Sequence, residues 1–489
     1  MKYEVVIGLE VHAQLLTQSK MFCSCSAAYQ DADPNTVVCP VCMGMPGVLP
    51  VINRKAVEHV IRTGLALNCD IAGYTKFDRK NYPYPDLMKG YQISQYDLPI
   101  ASTGSLPIEV DGVKRAAGVT RVHLEEDVAR LLHRTEDYGE GYSLLDVNRA
   151  GVPLMEIVGE PDLRSAEEAR AYLMQLHSIL QYIGVSTANM EEGNFRCDAN
   201  ISVRPEGESR LGTNVEIKNM NSFRSVFRAL EYEAERQVSV LEDGGRIVQE
   251  TRGWVEEDAK TVSQRTKEGA SDYRYFPEPD LPPLRISRQW VQEIGASLPE
   301  LPHHRRLRFV EELELPAYDA ALLTVSQPTA DYFERVLDSG PSPANTSFAK
   351  AVSNWMLGEM ARLINQSGGH ILNVKIEPGQ LAELQALVDD GTLSSTMAKT
   401  VFEKMFESGD SPREIAQAEG LSQISDADAV LAAVRQAISD NPGPVREYLD
   451  GKQQVMGFII GQVMKATRGK ANPRVASQLV RENLEAMRE

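Results

Sequence analysis

Four segments of the chain alternate apolar and polar residues with a period of two. That is the pattern of a strand whose two faces meet different surroundings. In VTRVHLEED (119–127), Val122 and Leu124 point one way, and Arg121, His123, Glu125 and Asp127 point the other. NFRCDANISV (194–203) puts Phe195, Cys197, Ala199, Ile201 and Val203 on one face and Arg196, Asp198, Asn200 and Ser202 on the other. NVEIKN (214–219) buries Val215 and Ile217 and presents Glu216 and Lys218. VVIGLEVHA (5–13) buries Val5, Ile7, Leu9 and Val11 and presents Glu10 and His12. One charged face alone would pass for the solvated side of an antiparallel sheet. Four faces carrying short carboxylates, imidazoles and neighbouring cations suit a polyanion held through a divalent metal.

Two segments keep helical spacing. SAEEARAYLMQLHSILQYIGV (165–185) opens on Ser165 and Glu168, the signature of a capping box, and repeats Leu173, Leu176, Leu180 and Ile183. SFRSVFRALEYEAERQVSVLEDGG (222–245) starts at Ser222 and stops at Gly244-Gly245. Strands mixed with a few helices predict an α+β body with a large, mainly antiparallel sheet. Leu281-Pro282-Pro283 is expected to close that body. From Ser287 the pattern is helical throughout, with breaks at Ser339-Gly340-Pro341 and Ser367-Gly368-Gly369, and a second boundary falls near 407–412. The expected organisation is a cradle over 1–292, an all-α domain over 293–408 and a small helical tail over 409–489.

With 489 residues the chain exceeds one hydrophobic core, which agrees with two or three domains. Hydrophobic residues make up 42% and charged residues 25%, values of a globular protein rather than a disordered one. No apolar run reaches the length of about eighteen residues that a membrane span needs. The start, MKYEVVIGLEVH, enters a strand at once, with neither a signal-peptide core nor a transit segment. A cytoplasmic protein without membrane contact is expected.

The net charge of −18 argues against nucleic-acid binding, but its distribution qualifies that. From Gly451 to Arg481 there is no Asp or Glu, while Lys452, Lys465, Arg468, Lys470, Arg474 and Arg481 are present. Such a tail either meets phosphate or docks on an acidic protein surface.

Of six cysteines, Cys23, Cys25, Cys39 and Cys42 form a C-x-C, a spacer and a C-P-V-C. In a cytoplasmic chain that spacing reads as a structural Zn²⁺ site stapling a loop, with four reduced thiols as the alternative. Cys197 falls on the apolar face of its strand, and Cys69 follows a helix-like segment without a partner.

Glu10, His12, Glu125, Asp198 and Glu216 are mostly hard oxygen ligands and suit Mg²⁺ or Mn²⁺. The chain has no G-x-x-x-x-G-K-[ST] loop and no G-x-G-x-x-G. If it handles ATP, cations must neutralise the phosphates; Arg79, Lys80, Arg196 and Lys218 are the candidates. Two prolines stiffen Asn81-Tyr82-Pro83-Tyr84-Pro85-Asp86, either to position a substrate or as a plain structural loop. No nucleophile elbow or Cys/His pair suggests a self-contained hydrolase.

The blocks IGLEVHAQL, CPVCMGMPGVLPVIN, FDRKNYPYPDLMKGYQISQYDLPI, HLEED, DVNRAGVPLMEIVGEPD, FRCDANISVRP, LGTNVEIKNMNSFRSV and DYRYFPEPDLPPL resemble the B subunits of the aspartyl/glutamyl-tRNA(Asn/Gln) amidotransferases, and GQVMKATRGKANP resembles that family's YqeY-like tail. The resemblance spans the whole chain. It implies a glutamine-dependent carbon–nitrogen ligase that uses ATP to activate the side-chain carboxylate of Glu or Asp misacylated onto tRNA(Gln) or tRNA(Asn). Ammonia from glutamine hydrolysed in the A subunit, a glutaminase, then gives the amide, and the C subunit completes a heterotrimer. It further implies Mg²⁺ at Glu10, His12, Glu125, Asp198 and Glu216, chemistry at Glu10, His12, Glu125 and Lys218, and tRNA contact through Lys452, Lys465, Arg468, Lys470 and Arg474. A tRNA-docking adapter without chemistry, or a free-standing metabolite kinase, would explain parts of the pattern. An acidic face argues against RNA docking, and a kinase would require full activity without tRNA and leaves the basic tail unexplained.

Overall fold

A computed structural model describes residues 2–135, 141–266, 273–340, 346–421, 427–450, 452–467, 471 and 473–487. The chain forms two compact units, Met1–Leu301 and Pro302–Glu489.

The first unit begins with β1 (Tyr3–Gln14), α1 (Arg54–Ala66), β2 (Asp70–Ile71), β3 (Tyr74–Thr75), β4 (Asp78–Asn81) and β5 (Tyr91–Ser94). It continues with β6 (Ala101–Val110), β7 (Val113–Glu126), β8 (Arg130–Thr135), β9 (Gly141–Asp146), β10 (Pro153–Gly159) and α2 (Ala166–Tyr182). It closes with β11 (Phe195–Pro205), β12 (Val215–Lys218), α3 (Phe223–Glu242), β13 (Glu250–Val255), β14 (Lys260–Thr266), β15 (Phe276–Pro277), β16 (Leu284–Arg285) and α4 (Arg288–Ala296).

Nine of these strands make one sheet in the order β14-β13-β12-β11-β1-β10-β7-β6-β2. Only β12 and β13 run parallel; every other pairing in it is antiparallel. One face is apolar and is covered by α1, α2 and α3. Val11, Val122, Leu124, Ile157 and Ile201 meet Leu173, Leu176, Ile179 and Val226 in a single core. The mainly antiparallel α+β body therefore agrees with the reading of the sequence, and the helices sit where the strand periodicity demands a hydrophobic cover.

The helix signals work as local chemistry requires. The Ser165 hydroxyl accepts from Glu168 N at 3.2 Å, and the Ser222 hydroxyl accepts from Ser225 N at 3.0 Å. The box at Ser165 is not reciprocal. Glu168 Oε2 accepts from Arg164 N at 2.7 Å, one residue before the cap, and its carboxylate also takes the Arg115 guanidinium at 2.8 Å. After α3, Gly244 adopts φ +76, the left-handed step that ends the helix. α1 is capped by Asn53 Oδ1, which accepts from Lys55 N at 2.9 Å.

The chain does not leave this unit at Pro282-Pro283. β16 pairs with β3, and α4 returns to lay Ile294 in the core beside α1, with the Arg54 guanidinium 5.0 Å from the Trp290 ring centre.

The second unit is helical: α5 (Pro302–Glu311), α6 (Ala317–Leu323), α7 (Gln327–Asp338), α8 (Thr346–Trp355), α9 (Ala361–Ser367), α10 (Pro378–Asp389), α11 (Ser395–Ser408), α12 (Pro412–Ala418), α13 (Ala427–Asp440), α14 (Pro442–Leu449), α15 (Met456–Ala466) and α16 (Pro473–Glu485). Among the described residues it has two hydrophobic clusters. One runs from Phe309 to Ala416 and so takes in α12; the other runs from Val430 to Leu484. Among the described residues no helix is long and apolar enough to cross a membrane.

Candidate active site: an ionised sheet face and a cysteine knuckle

The face of the nine-stranded sheet opposite the helices floors a cavity of about 1350 Å³. Strand register decides what converges there. His12 on β1 stands opposite Glu156 on β10 and opposite Arg196 on β11. Glu156 in turn faces His123 on β7, and Glu10 faces Asp198. Directly paired residues on one face lie within side-chain reach, so the alternation in four distant segments becomes one row of ionisable groups.

His12 is the hub. Its Nε2 lies 3.7 Å from Glu10, 3.6 Å from Glu125 and 3.4 Å from Glu156. Burial disfavours its charge, but contact with Glu156 and the charges of Glu125 and Glu10 outweigh this and lift the imidazole to about 9. Burial, then the neighbouring Glu156, pushes Glu125 up to about 7 against the pull of His12, Lys80 and Arg196. Burial also opposes ionisation of Glu156, yet His123 and His12 hold its carboxyl well below the usual range. His123 is buried and falls to about 4. Three carboxylates thus crowd a site that stays ionised only with positive charge among them.

Glu10, His12 and Glu156 form one group whose ligand atoms lie within 4.8 Å of one another, and His123, Glu125 and Glu156 form a second. Glu125 Oε2 and His123 Nδ1 are buried without a hydrogen-bond partner among the described residues. A buried carboxylate oxygen left unsatisfied, beside further carboxylates, fits a hard divalent cation.

Several expected residues are placed otherwise. Asp198 and Glu216 belong to neither group: Lys218 Nζ is hydrogen-bonded to Asp198 Oδ2 and lies 3.3 Å from Glu216, whose other oxygen accepts from Thr251 Oγ1 at 2.7 Å. The five-residue metal set therefore separates into Glu10, His12 and Glu125 on one side and a lysine-bridged pair on the other. Arg79 does not line the cavity. Its guanidinium grips Glu278 in two bonds of 2.7 and 2.8 Å and reaches Asp280 at 3.3 Å, because Arg79 and Lys80 are adjacent on β4 and point to opposite sides. Lys80 is the one that lines the cavity, its ammonium 5.0 Å from the Tyr273 ring centre and outside ion-pair range of any described carboxylate. Arg196 lines it too, 3.0 Å from Asp127, which lies just past the end of β7 and is held by Gln14 at 2.8 Å.

Sequence reasoning missed Glu156 and gave His123 no role. Glu156 is the only charge in PLMEIVG, so its strand carries no alternation that would mark it.

The four cysteines come together as expected from their spacing. Their sulfurs lie within 4.8 Å of one another, and Cys39 and Cys42 are 3.8 Å apart. A tetrahedron of about 2.3 Å Zn–S bonds has edges of about 3.8 Å. Cys39 N donates to Cys42 Sγ at 3.1 Å, and the buried Lys20 Nζ approaches it at 3.6 Å. The hydrogen bond from Cys23, first among several causes, brings Cys42 down to about 4. The donor set fits a metal that prefers thiolate. The knuckle is tied to the sheet: Met21 N donates to Gly151 O at 2.7 Å, and Gly151 N to Asp127 O at 2.9 Å.

In the tail, Lys465 is exposed near the end of α15, and Lys452 is exposed and pairs with Glu447 at 3.2 Å. Arg468 and Lys470 lie outside the described residues, as does the side chain of Arg474.

Comparison with known proteins agrees with this architecture. Residues 5–292 match the GatB/GatE catalytic domain, and residues 331–484 match the GatB domain. Similar chains include the B subunit of the aspartyl/glutamyl-tRNA(Asn/Gln) amidotransferase of Dehalococcoides mccartyi strain CBDB1, 56% identical over 489 residues and 99% of each chain. The protein of the same name from Caldicellulosiruptor saccharolyticus is 55% identical over 99% of this chain and 100% of its own. That of Thermoanaerobacter pseudethanolicus is 54% identical over the same shares.

Proposed function

The chain belongs to the GatB family, and from that premise we propose that it is the activating component of a cytoplasmic, glutamine-dependent aspartyl/glutamyl-tRNA(Asn/Gln) amidotransferase. Its substrates are ATP and Glu-tRNA(Gln) or Asp-tRNA(Asn), and its partners are the A subunit, a glutaminase, and the C subunit. The observation that carries this reading is the convergence of Glu10, Glu125 and Glu156 around His12, with Lys80, Arg196 and Lys218 lining the same cavity.

A carboxylate resists ammonia because oxide is a poor leaving group. One oxygen of the substrate's side-chain carboxylate attacks the γ-phosphorus of ATP, the bond to the bridging oxygen breaks, and ADP leaves. Ammonia then adds to the carbonyl carbon of the acyl phosphate, a proton is lost to a base, and inorganic phosphate departs with the C–O electron pair. Mg²⁺, held by Glu10, His12 and Glu156 or by His123, Glu125 and Glu156, would offset phosphate charge. Lys80, held charged by nearby Glu125 and Glu156 but in contact with no carboxylate among the described residues, is placed to reach a phosphoryl oxygen. Arg196 has already given one edge to Asp127, which holds the rest of its guanidinium toward the cavity. Lys218, bridging Asp198 and Glu216, balances the acids on the far side. Holding both substrates over one rigid sheet supplies proximity. Zn²⁺ at Cys23, Cys25, Cys39 and Cys42 would fix the loop behind Asp127, outside the chemistry. The basic residues of the tail, Lys452, Lys465, Arg468, Lys470 and Arg474, would take up tRNA phosphates.

The test is release of γ-phosphate from labelled ATP by the assembled complex without glutamine. Release that requires misacylated tRNA is expected. Release indifferent to tRNA, or none, would overturn the reading.

A further inference from the structure

One wall of the cavity takes no part in the chemistry above. It is built from tyrosines of the small sheet β15-β4-β5: Tyr82 follows β4, Tyr96 follows β5, and Tyr273 and Tyr275 precede β15. Tyr96 lies flat on Tyr275, with ring centres 4.4 Å apart and planes 14° from parallel. Tyr275 meets Tyr273 edge-on at 6.0 Å, and Tyr273 meets Tyr82 at 5.9 Å. The stack is not sealed: Tyr96 lines the cavity and keeps 53% of its surface exposed. Cations sit beside it, Lys80 5.0 Å from the Tyr273 ring centre and Arg121 6.0 Å from that of Tyr96.

Among the described residues no Phe, Tyr or Trp reaches the cavity from the nine-stranded sheet. The floor is ionised, and laying a flat neutral ring on it would strip water from charges without pairing them. A large π surface held open to a polar cavity is the arrangement that stacks nucleobases, since every base offers a π face and needs no fixed hydrogen-bond partner. The cations beside it would meet the phosphates that accompany the base.

Resting on the reading that ATP and the acceptor end of tRNA both enter this cavity, two adenines must be accommodated. We propose that the Tyr96–Tyr275 stack is the subsite for an adenine base. The base lies on the aromatic wall, and its phosphates or aminoacyl ester extend toward Lys80 and the carboxylate floor.

The adenine of ATP and the terminal adenosine of tRNA share this chemistry, so the experiment separates them. Tyr275→Leu and Tyr275→Phe are compared with the parent protein in the assembled complex, after thermal melts have shown that all three are folded. Binding is measured for ATP against inorganic tripolyphosphate, and for tRNA(Gln) against the same tRNA lacking its terminal adenosine. Tyr275→Leu is expected to weaken either ATP or intact tRNA about ten-fold, the usual size of one stacking contact. The two probes without the base should bind the variant and the parent alike, and Tyr275→Phe should retain affinity. Weakening of ATP assigns the wall to the nucleotide, and weakening of intact tRNA assigns it to the acceptor end. Unchanged affinity for both, equal weakening of the baseless probes, or a Phe variant as impaired as Leu would overturn the proposal. Such a result in a complex that still releases phosphate only with misacylated tRNA sinks the subsite alone. Loss of that dependence in the parent protein would sink the functional reading.

Discussion

Alternation along a strand says which residues share a face, but not which carry charge to a site and which hold the scaffold. Arg79 and Lys80 illustrate this. Both looked like phosphate cations, yet adjacent positions on β4 send one into a bidentate pair with the fully buried Glu278 and the other toward the cavity. Arg79→Met should therefore cost about 3 kcal/mol of stability by leaving that carboxylate unpaired. ATP affinity of the folded variant should be unchanged. Denaturant titration beside ATP binding checks this, and a folded variant with lost ATP affinity and full stability would contradict it. Glu156 illustrates the converse. A single acid inside an apolar run carries no periodic signal, and its importance comes only from lying between His12 and His123 across two strand registers. Sequence separation hides such a pairing, because β10 enters the sheet between β1 and β7 through long-range contacts.

At the level of elements, local rules were readable because their physics is local. Ser165 and Ser222 cap their helices, and Gly244 ends the second of these. The strand faces of β1, β7, β11 and β12 followed from their period of two. The arrangement of β4, β5 and β15 as a tyrosine wall was not readable, since it joins residues about two hundred positions apart. The cysteine knuckle was readable from spacing alone, and its 3.8 Å Cys39–Cys42 separation suits zinc. The purified chain is expected to hold one equivalent of zinc by elemental analysis. Cys42→Ser should lose it and lower the thermal midpoint by about 5 °C, because the loop from Ser19 to Asn53 then loses its staple. A metal-free parent protein with an unchanged melt in the variant would show that the thiols merely pack.

For the whole molecule, the charge distribution matters more than the sum. A net charge of −18 would repel RNA, yet the acids concentrate elsewhere and leave the segment from Gly451 to Arg481 without Asp or Glu. The exposed Lys465 samples that segment. Lys465→Ala should weaken tRNA binding and reduce the slope of log affinity against log salt by about 1, with no change in ATP affinity. An unaltered slope would place tRNA elsewhere. The two family domains match different units, one over the sheet at residues 5–292 and one over the helices at 331–484. In the proposed function, activation belongs to the acid floor and tRNA phosphates to the basic tail.

The most direct measurement compares amide formation and tRNA affinity in a complex carrying Glu125→Gln. This change keeps the volume of the side chain while removing a carboxylate oxygen that has no hydrogen-bond partner among the described residues. Amide formation on misacylated tRNA is expected to fall by about a hundred-fold or more, with tRNA affinity within about two-fold of the parent. A folded Glu125→Gln complex that still forms the amide at the parent rate would contradict the assignment of activation to this sheet face.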